Sequence, residues 1–210
     1  MKINWDSEVL SSVSKVVDQL EHLSINKDSI ESVADWLAYE EFPIPNSAAV
    51  RDDADDFIRA TMFMNTLNFA FTDFDKSIKY EINEDGKILS DSEAMYFQVN
   101  NAISSGIKLT DGNEMASISL HQLKNIFVGN IEMPMLKERV EILNEVGQKL
   151  VDSYEGDWIN FINNGPKKLY SDGGGLIERL IEEFPRFDDS SQFKGSKIKF
   201  YKLAQLAFWV

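Results

Sequence analysis

Hydrophobic residues return every three or four positions along most of this chain, the spacing of helices that bury one face. Val9, Leu10, Val13, Val16, Val17, Leu20 and Leu23 share such a face, with Asp6 or Ser7 placed to cap its start. A second helix is predicted from about Asp28 to Glu40, burying Ile30, Val33, Ala34 and Leu37. The prolines of Phe42-Pro43-Ile44-Pro45 break it, and helix resumes from about Val50 to Asn65. Only once does the period fall to two. Ile78, Tyr80 and Ile82 alternate with Lys79 and Glu81, and Asn83-Glu84-Asp85-Gly86 turns the chain into Lys87-Ile88-Leu89.

Helices then return. Ser92 to Ser104 carries Met95, Val99, Ala102 and Ile103 and ends at Gly106. Ser119-Leu120-His121-Gln122 fits a capping box, and Pro134 sits where a long helix should begin. In that helix Leu136, Val140, Leu143, Val146, Leu150 and Val151 face inward. Gly173-Gly174-Gly175 precedes a helix through Glu183, which Pro185 stops, and a last helix is predicted from near Lys199. The terminal apolar run, Leu206-Ala207-Phe208-Trp209-Val210, is expected either to dock in a core or to mark a chain shortened relative to a longer relative. The fold class is therefore mainly α with one small β-hairpin. It reads as a single domain over residues 1–210, with N-terminal helices in 1–50 and the hairpin in 78–89.

Composition narrows the chemistry. Lys and Arg number 21 against 35 Asp and Glu, giving a net charge of −14 and a field that repels nucleic acid and anionic lipid. No direct nucleic-acid binding and no membrane association are expected. With no cysteine among 210 residues there is no disulfide, thiol nucleophile, Cys-ligated zinc or iron–sulfur cluster. No apolar run nears 18 residues and the start lacks a secretory pattern, so a cytoplasmic protein is expected.

His22 and His121 lack a metal-binding frame, and Asp52-Asp53-x-Asp55-Asp56 reads as the solvated first turn of a helix, so no metal or other cofactor is predicted. The glycine triplet offers amides to an anion but lacks the Lys-Ser/Thr of a phosphate loop, and reads as a flexible connector. Phe184-Pro185-Arg186-Phe187-Asp188-Asp189 sets carboxylates among aromatic rings, where partial desolvation tunes them. Lys194, Lys197, Lys199 and Lys202 follow. They read either as a phosphate-ester site or as a solvated lysine face beside an ordinary loop.

Several ordered stretches resemble one family. They are Met133-Pro134-Met135-Leu136-Lys137-Glu138-Arg139 through Gly147, Glu183-Phe184-Pro185-Arg186-Phe187-Asp188-Asp189, and Lys194-Gly195-Ser196 through Tyr201-Lys202-Leu203-Ala204-Gln205. Upstream, Thr66-Leu67-Asn68-Phe69-Ala70-Phe71, Val99 to Ile107 and Ser119 to Leu123 fall in the same order. Together they resemble the queuosine salvage family, the queuosine 5'-phosphate N-glycosylase/hydrolases, with residues 133–210 as the family-like core.

The resemblance implies a helical fold similar to the helix-hairpin-helix DNA glycosylases. It implies hydrolysis of the bond between ribose and a 7-deazaguanine base, releasing queuine for tRNA modification from a nucleoside or nucleotide substrate. On the family's pattern Asp189 is the implied catalytic carboxylate, and Asn68, Phe69, Phe187, Lys202 and Gln205 are implied substrate-binding residues. Departures stand at Asn65 (aspartate in the family), Thr72 (tryptophan), Ser92-Glu93 (Tyr-Trp) and Asp188 (arginine). Relatives continue beyond the Ala-Gln helix by roughly a third of their length. The alternative implied is a catalytically inactive or retargeted homologue serving as a nucleotide-binding or protein-interaction module.

Overall fold

The computed structural model describes residues 8–22, 24, 26–41 and 53–209. The Asp6 and Ser7 caps, Leu23, the two prolines, Val50 to Asp52 and Val210 lie outside the described residues. In chain order the helices are α1 Glu8–Ser14, α2 Lys27–Leu37 and α3 Ala54–Thr66, followed by strands β1 Thr72–Asp73, β2 Ile78–Lys79, β3 Glu81–Glu84 and β4 Lys87–Ser90. Then come α4 Asp91–Ser104, α5 Gly112–Ser117, α6 Leu120–Ile126, α7 Leu136–Tyr154, α8 Trp158–Asn163 and α9 Leu176–Glu183. Strands β5 Ser190–Phe193 and β6 Ser196–Lys199 and helix α10 Lys202–Gln205 complete the set. The fold is mainly helical, with small β-hairpins. Among the described residues no helix is long and apolar enough to cross a membrane.

Two compact units divide the chain: Met1–Ala48 with Ser190–Phe200, and Ala49–Asp189 with Tyr201–Val210. In the first, α1 packs on β6, and the Lys199 N–H donates to Ser12 Oγ at 3.0 Å. The predicted first helix is shorter than its pattern: α1 stops at Ser14 and a 3-10 turn follows at Val17–Gln19. Helix α2 forms where predicted, capped by Asn26 Oδ1 accepting from the Ser29 N–H at 3.0 Å. Its apolar face is not buried, however: Ile30 is 57 % and Val33 51 % exposed. Periodicity defines a shared face; burial needs a surface to cover it.

The expectation of one hairpin is corrected to three among the described residues: β1–β2, β3–β4 and β5–β6. In β3–β4 Glu81 pairs with Ser90 and Glu84 with Lys87 around Asp85-Gly86, both at positive φ, the geometry that favours Asp-Gly in two-residue turns. Lys194-Gly195 turns β5–β6 the same way. That hairpin escaped the pattern because Ser190–Phe193 and Ser196–Lys199 bury only Ile198. The last helix consequently starts at Lys202, and the 3-10 turn Leu206–Trp209 after it packs on α3, with Ala207 fully buried.

The second unit is organised by α7, 19 residues long, whose Leu136, Leu143, Val146 and Leu150 are buried as predicted. Val140 and Val151 are only half-buried. Pro134 lies two residues before the helix, and Met135, at φ +55°, forms its cap. Helix α5 crosses α7 at Gly147, where an added Cβ would meet the backbone of Ala116, with Gly112 O at 2.7 Å. A chain of rings fills the space beside α7. Tyr154 meets Phe161 at 5.3 Å, Phe161 meets Phe184 at 5.2 Å, Trp158 meets Phe184 at 5.1 Å, and Phe184 reaches Phe187 at 6.3 Å.

Gly147→Ala is expected to destabilise the protein by about 1–3 kcal/mol, the cost of overpacking backbone on backbone. A urea denaturation midpoint equal to the parent's would show that α5 and α7 can part freely.

Candidate active site

Asp189 stands at the end of the ring chain. Phe184 and Pro185–Phe187 form a tight 3-10 turn in which the Phe187 N–H donates to Phe184 O at 2.9 Å. Arg186 is held from outside by Glu145 in a bidentate pair, both contacts at 2.6 Å. Beyond this anchored turn the half-buried Asp189 carboxylate accepts the Lys202 backbone N–H, at 2.9 Å to Oδ1 and 3.1 Å to Oδ2. It thereby satisfies a free amide at the start of α10. The Lys202 ammonium and Gln205 are exposed on that helix, three residues apart. Phe187 is 1 % exposed and supports the turn from below.

Asn68 and Phe69 belong to a second cluster, built around Arg139. This arginine is 0 % exposed, and its partners are backbone carbonyls. Its Nε donates to Pro134 O at 3.0 Å, Nη1 to Leu67 O, and Nη2 to Phe69 O and to Ala70 O, the last at 2.8 Å. The guanidinium carbon lies 4.4 Å from the Phe69 ring centroid and 5.1 Å from that of Phe71. Burial pulls the guanidinium pKa down to about 10, which leaves it charged at neutral pH. Among the described residues no carboxylate hydrogen-bonds to it. Ala70, whose carbonyl it holds, sits at φ +48°, a left-handed conformation that a non-glycine residue adopts at a cost. Asn68 Nδ2 donates to Tyr96 Oη at 2.9 Å, and burial raises the Tyr96 pKa.

Of the six expected site residues, Asp189 and Lys202 are joined directly, and Phe187 lies in the turn that packs on α10. Gln205 shares α10 with Lys202. No hydrogen bond, ion pair or ring contact among the described residues links Asn68 or Phe69 to Asp189. Helix α10 does pack on α3, whose C-terminal end leads into Asn68. Asn65 on that helix is 3 % exposed, and its Nδ2 has no hydrogen-bond partner among the described residues. Sequence reasoning passed over Arg139 and Tyr96. Arg139 carried a signal: it lies three residues after Leu136 and four before Leu143, on the inward stripe of α7, where an unpaired charge is unexpected.

Other candidate chemistry resolves into structure. Asp53 caps α3, accepting from the Asp55 and Asp56 N–H groups, and Asp56 pairs with Arg59 at 3.0 Å. Lys194 meets Glu21 at 3.0 Å and Lys199 meets Glu8 at 3.6 Å, so two of the four lysines are engaged by acids of the N-terminal segment. The glycine loop presents its amides to an anion, but the anion is the chain's own. Glu178 accepts from the N–H groups of Ser171 at 2.7 Å, Gly173 at 3.0 Å and Gly175 at 2.8 Å. Burial alone would raise the Glu178 pKa, but these three donors outweigh it and hold the carboxyl below the usual range.

The family model described as queuosine salvage protein matches residues 48–208, and the chain belongs to that family. It is 31 % identical over 144 residues to the queuosine 5'-phosphate N-glycosylase/hydrolase of Bos taurus, covering 68 % of this chain and 41 % of that protein. The enzyme of the same name from Mus musculus is 30 % identical over 156 residues, covering 73 % and 45 %. That of Sphaerobacter thermophilus is 25 % identical over 201 residues, covering 94 % and 60 %. The chain thus spans about half the length of the curated relatives it matches.

Because the Glu178 pKa is lowered on folding, its stabilisation is present above the unfolded value near 4.5 and is lost as pH falls through the lower folded value. Glu178→Ala is expected to cost about 1–3 kcal/mol at pH 7, three donors losing their acceptor. The gap from the parent should narrow toward pH 3. Urea melts at both pH values check this, and an equal gap at both would contradict it.

Proposed function

We propose that this chain is an N-glycosidase that hydrolyses the ribose–base bond of queuosine 5'-phosphate or a related 7-deazaguanine nucleotide, freeing the base for tRNA queuosine salvage. One observation carries the reading: the half-buried Asp189 carboxylate, fixed by the Lys202 amide on an anchored aromatic turn, in a segment matching the salvage family. The relatives named for this activity support the choice of reaction.

In the proposed reaction the bond from ribose C1' to the base nitrogen breaks, and positive charge builds on the sugar. Asp189 faces that charge and either orients the attacking water or adds to C1' before water displaces it. Water supplies the hydroxyl of the released sugar phosphate, and its other proton ends on the base. The Lys202 N–H keeps the carboxylate in one orientation. The Lys202 ammonium and Gln205 face the sugar phosphate, Asn68 and Phe69 receive the base, and Phe187 supports Asp189. The mostly helical build and the shared N-glycosidic chemistry support a fold like the helix-hairpin-helix DNA glycosylases. The acidic balance supports an enzyme of small nucleotides that does not bind nucleic acid directly, and the cysteine-free composition fits a cytoplasmic one.

Asp189→Asn keeps an oxygen to accept the Lys202 N–H, so the variant should melt within a degree or two of the parent. Its release of queuine from queuosine 5'-phosphate, followed by mass spectrometry, should fall by about a thousandfold or more. Turnover equal to the parent's would remove Asp189 from the chemistry. Protection from thermal unfolding by the nucleotide without any release by the parent would instead identify a binding protein.

A further inference from the structure

The bond that orients Asp189 also closes the root of a hairpin. From Asp189 the chain enters β5, turns at Lys194-Gly195 and returns along β6 toward Lys202, whose N–H the Asp189 carboxylate accepts. The backbone ladder ends at the pair Ser190–Lys199, and Tyr201, at φ +50°, bends the chain into α10. Only Phe200 and Tyr201 separate Lys199 from Lys202. Whatever fixes Lys199 therefore restrains the short run that carries the Lys202 N–H.

Lys199 is fixed by α1, which packs on β6. Its N–H donates to Ser12 Oγ at 3.0 Å. The Ser12 hydroxyl hydrogen is itself committed to Val9 O at 2.9 Å, so the oxygen meets β6 as an acceptor. Ser12 is buried, a rare place for serine. Two ion pairs accompany this bond: Glu8 with Lys199 at 3.6 Å, and Glu21 with Lys194 at 3.0 Å. Both glutamates are exposed, where such pairs contribute little, whereas an amide that loses a buried acceptor is costly. The hold on the hairpin root thus rests on Ser12. The family model begins at residue 48, so the hold comes from a segment ahead of it.

We propose that Ser12 is a positioning residue for the reaction: it anchors Lys199, and through the run to Lys202 it keeps the Asp189 carboxylate in its working orientation. Ser12 touches no reacting atom. The inference rests on the reading of Asp189 as the catalytic carboxylate, and adds that the N-terminal segment governs how well that carboxylate is aimed.

The test is Ser12→Ala in the full chain, with Ser14→Ala as its control. Ser14 is exposed and bonds only Ser11 O within α1, so its loss perturbs the helix without touching β6. Amide hydrogen exchange by NMR should quicken at Lys202 by about fivefold in Ser12→Ala, the size of one net hydrogen bond. Exchange at Leu143, in the core of α7, should stay at the parent's rate. Queuine release from queuosine 5'-phosphate should show kcat down by about fivefold with KM unchanged. Ser14→Ala should match the parent in all of these.

Parental exchange at Lys202 in Ser12→Ala would overturn the proposal, as would an equal effect of Ser14→Ala. Faster exchange with an unaltered kcat would overturn it too, by showing that the anchor does not reach the chemistry. The exchange result needs no turnover, so the two readings fail separately. If the parent releases queuine, Asp189→Asn does not, and Lys202 exchange ignores Ser12, only the positioning role is wrong. If Asp189→Asn releases queuine at the parent's rate, Asp189 leaves the chemistry and the role of Ser12 in it goes too.

Discussion

A cation sealed inside the protein, whose hydrogen bonds among the described residues all go to carbonyl oxygens, sets the terms for everything around it. Arg139 reaches Leu67, Phe69, Ala70 and Pro134 at once, segments nearly seventy residues apart in sequence. Left without those oxygens, a buried guanidinium would be very costly, so the end of α3 must turn back at Ala70 and the chain before α7 must bend at Met135. Both residues sit at positive φ, and both are neighbours of groups the arginine holds. The positive-φ backbone at these two bends brings carbonyls to the buried charge, and the hydrogen bonds made there offset the cost of the bends.

This dependence explains what sequence could and could not disclose. Helices α3, α4, α6 and α7 follow from spacing and caps, and the Ser119–Gln122 box forms as its residue types require. The Asp85-Gly86 turn was equally legible, because only a few residues accept its dihedral angles. The β5–β6 hairpin was less so, since Ser190–Phe193 carries no alternation and Ile198 is the single buried residue of the two strands. The face of α2 could be named but not its burial, which depends on residues far away in sequence. Arg139 was visible as an anomaly in an apolar stripe, yet its meaning lay in carbonyls that no side-chain pattern records. Asp189 was reached through family resemblance. What the structure adds is its attachment to the Lys202 amide and the ring chain beneath it.

The aromatic chain from Tyr154 to Phe187 gives the candidate carboxylate a rigid base. Edge-on ring contacts pack the core, and the Glu145–Arg186 pair ties the turn to α7. Arg179 closes the other end, donating to Phe161 O at 2.9 Å and meeting Glu183 at 3.3 Å. The polar groups at the margins of this core thus hold the turn, and the Lys202 amide holds the Asp189 carboxylate beyond it.

The glycine loop ahead of α9 has a different lesson. Three amides converge there on a single carboxylate, and that carboxylate is five residues or fewer from two of them. The loop therefore carries its own counter-ion and is indifferent to phosphate or sulfate in its surroundings. The same side chain that fills the site also draws the loop into shape, so the receptor and its occupant are built by one residue.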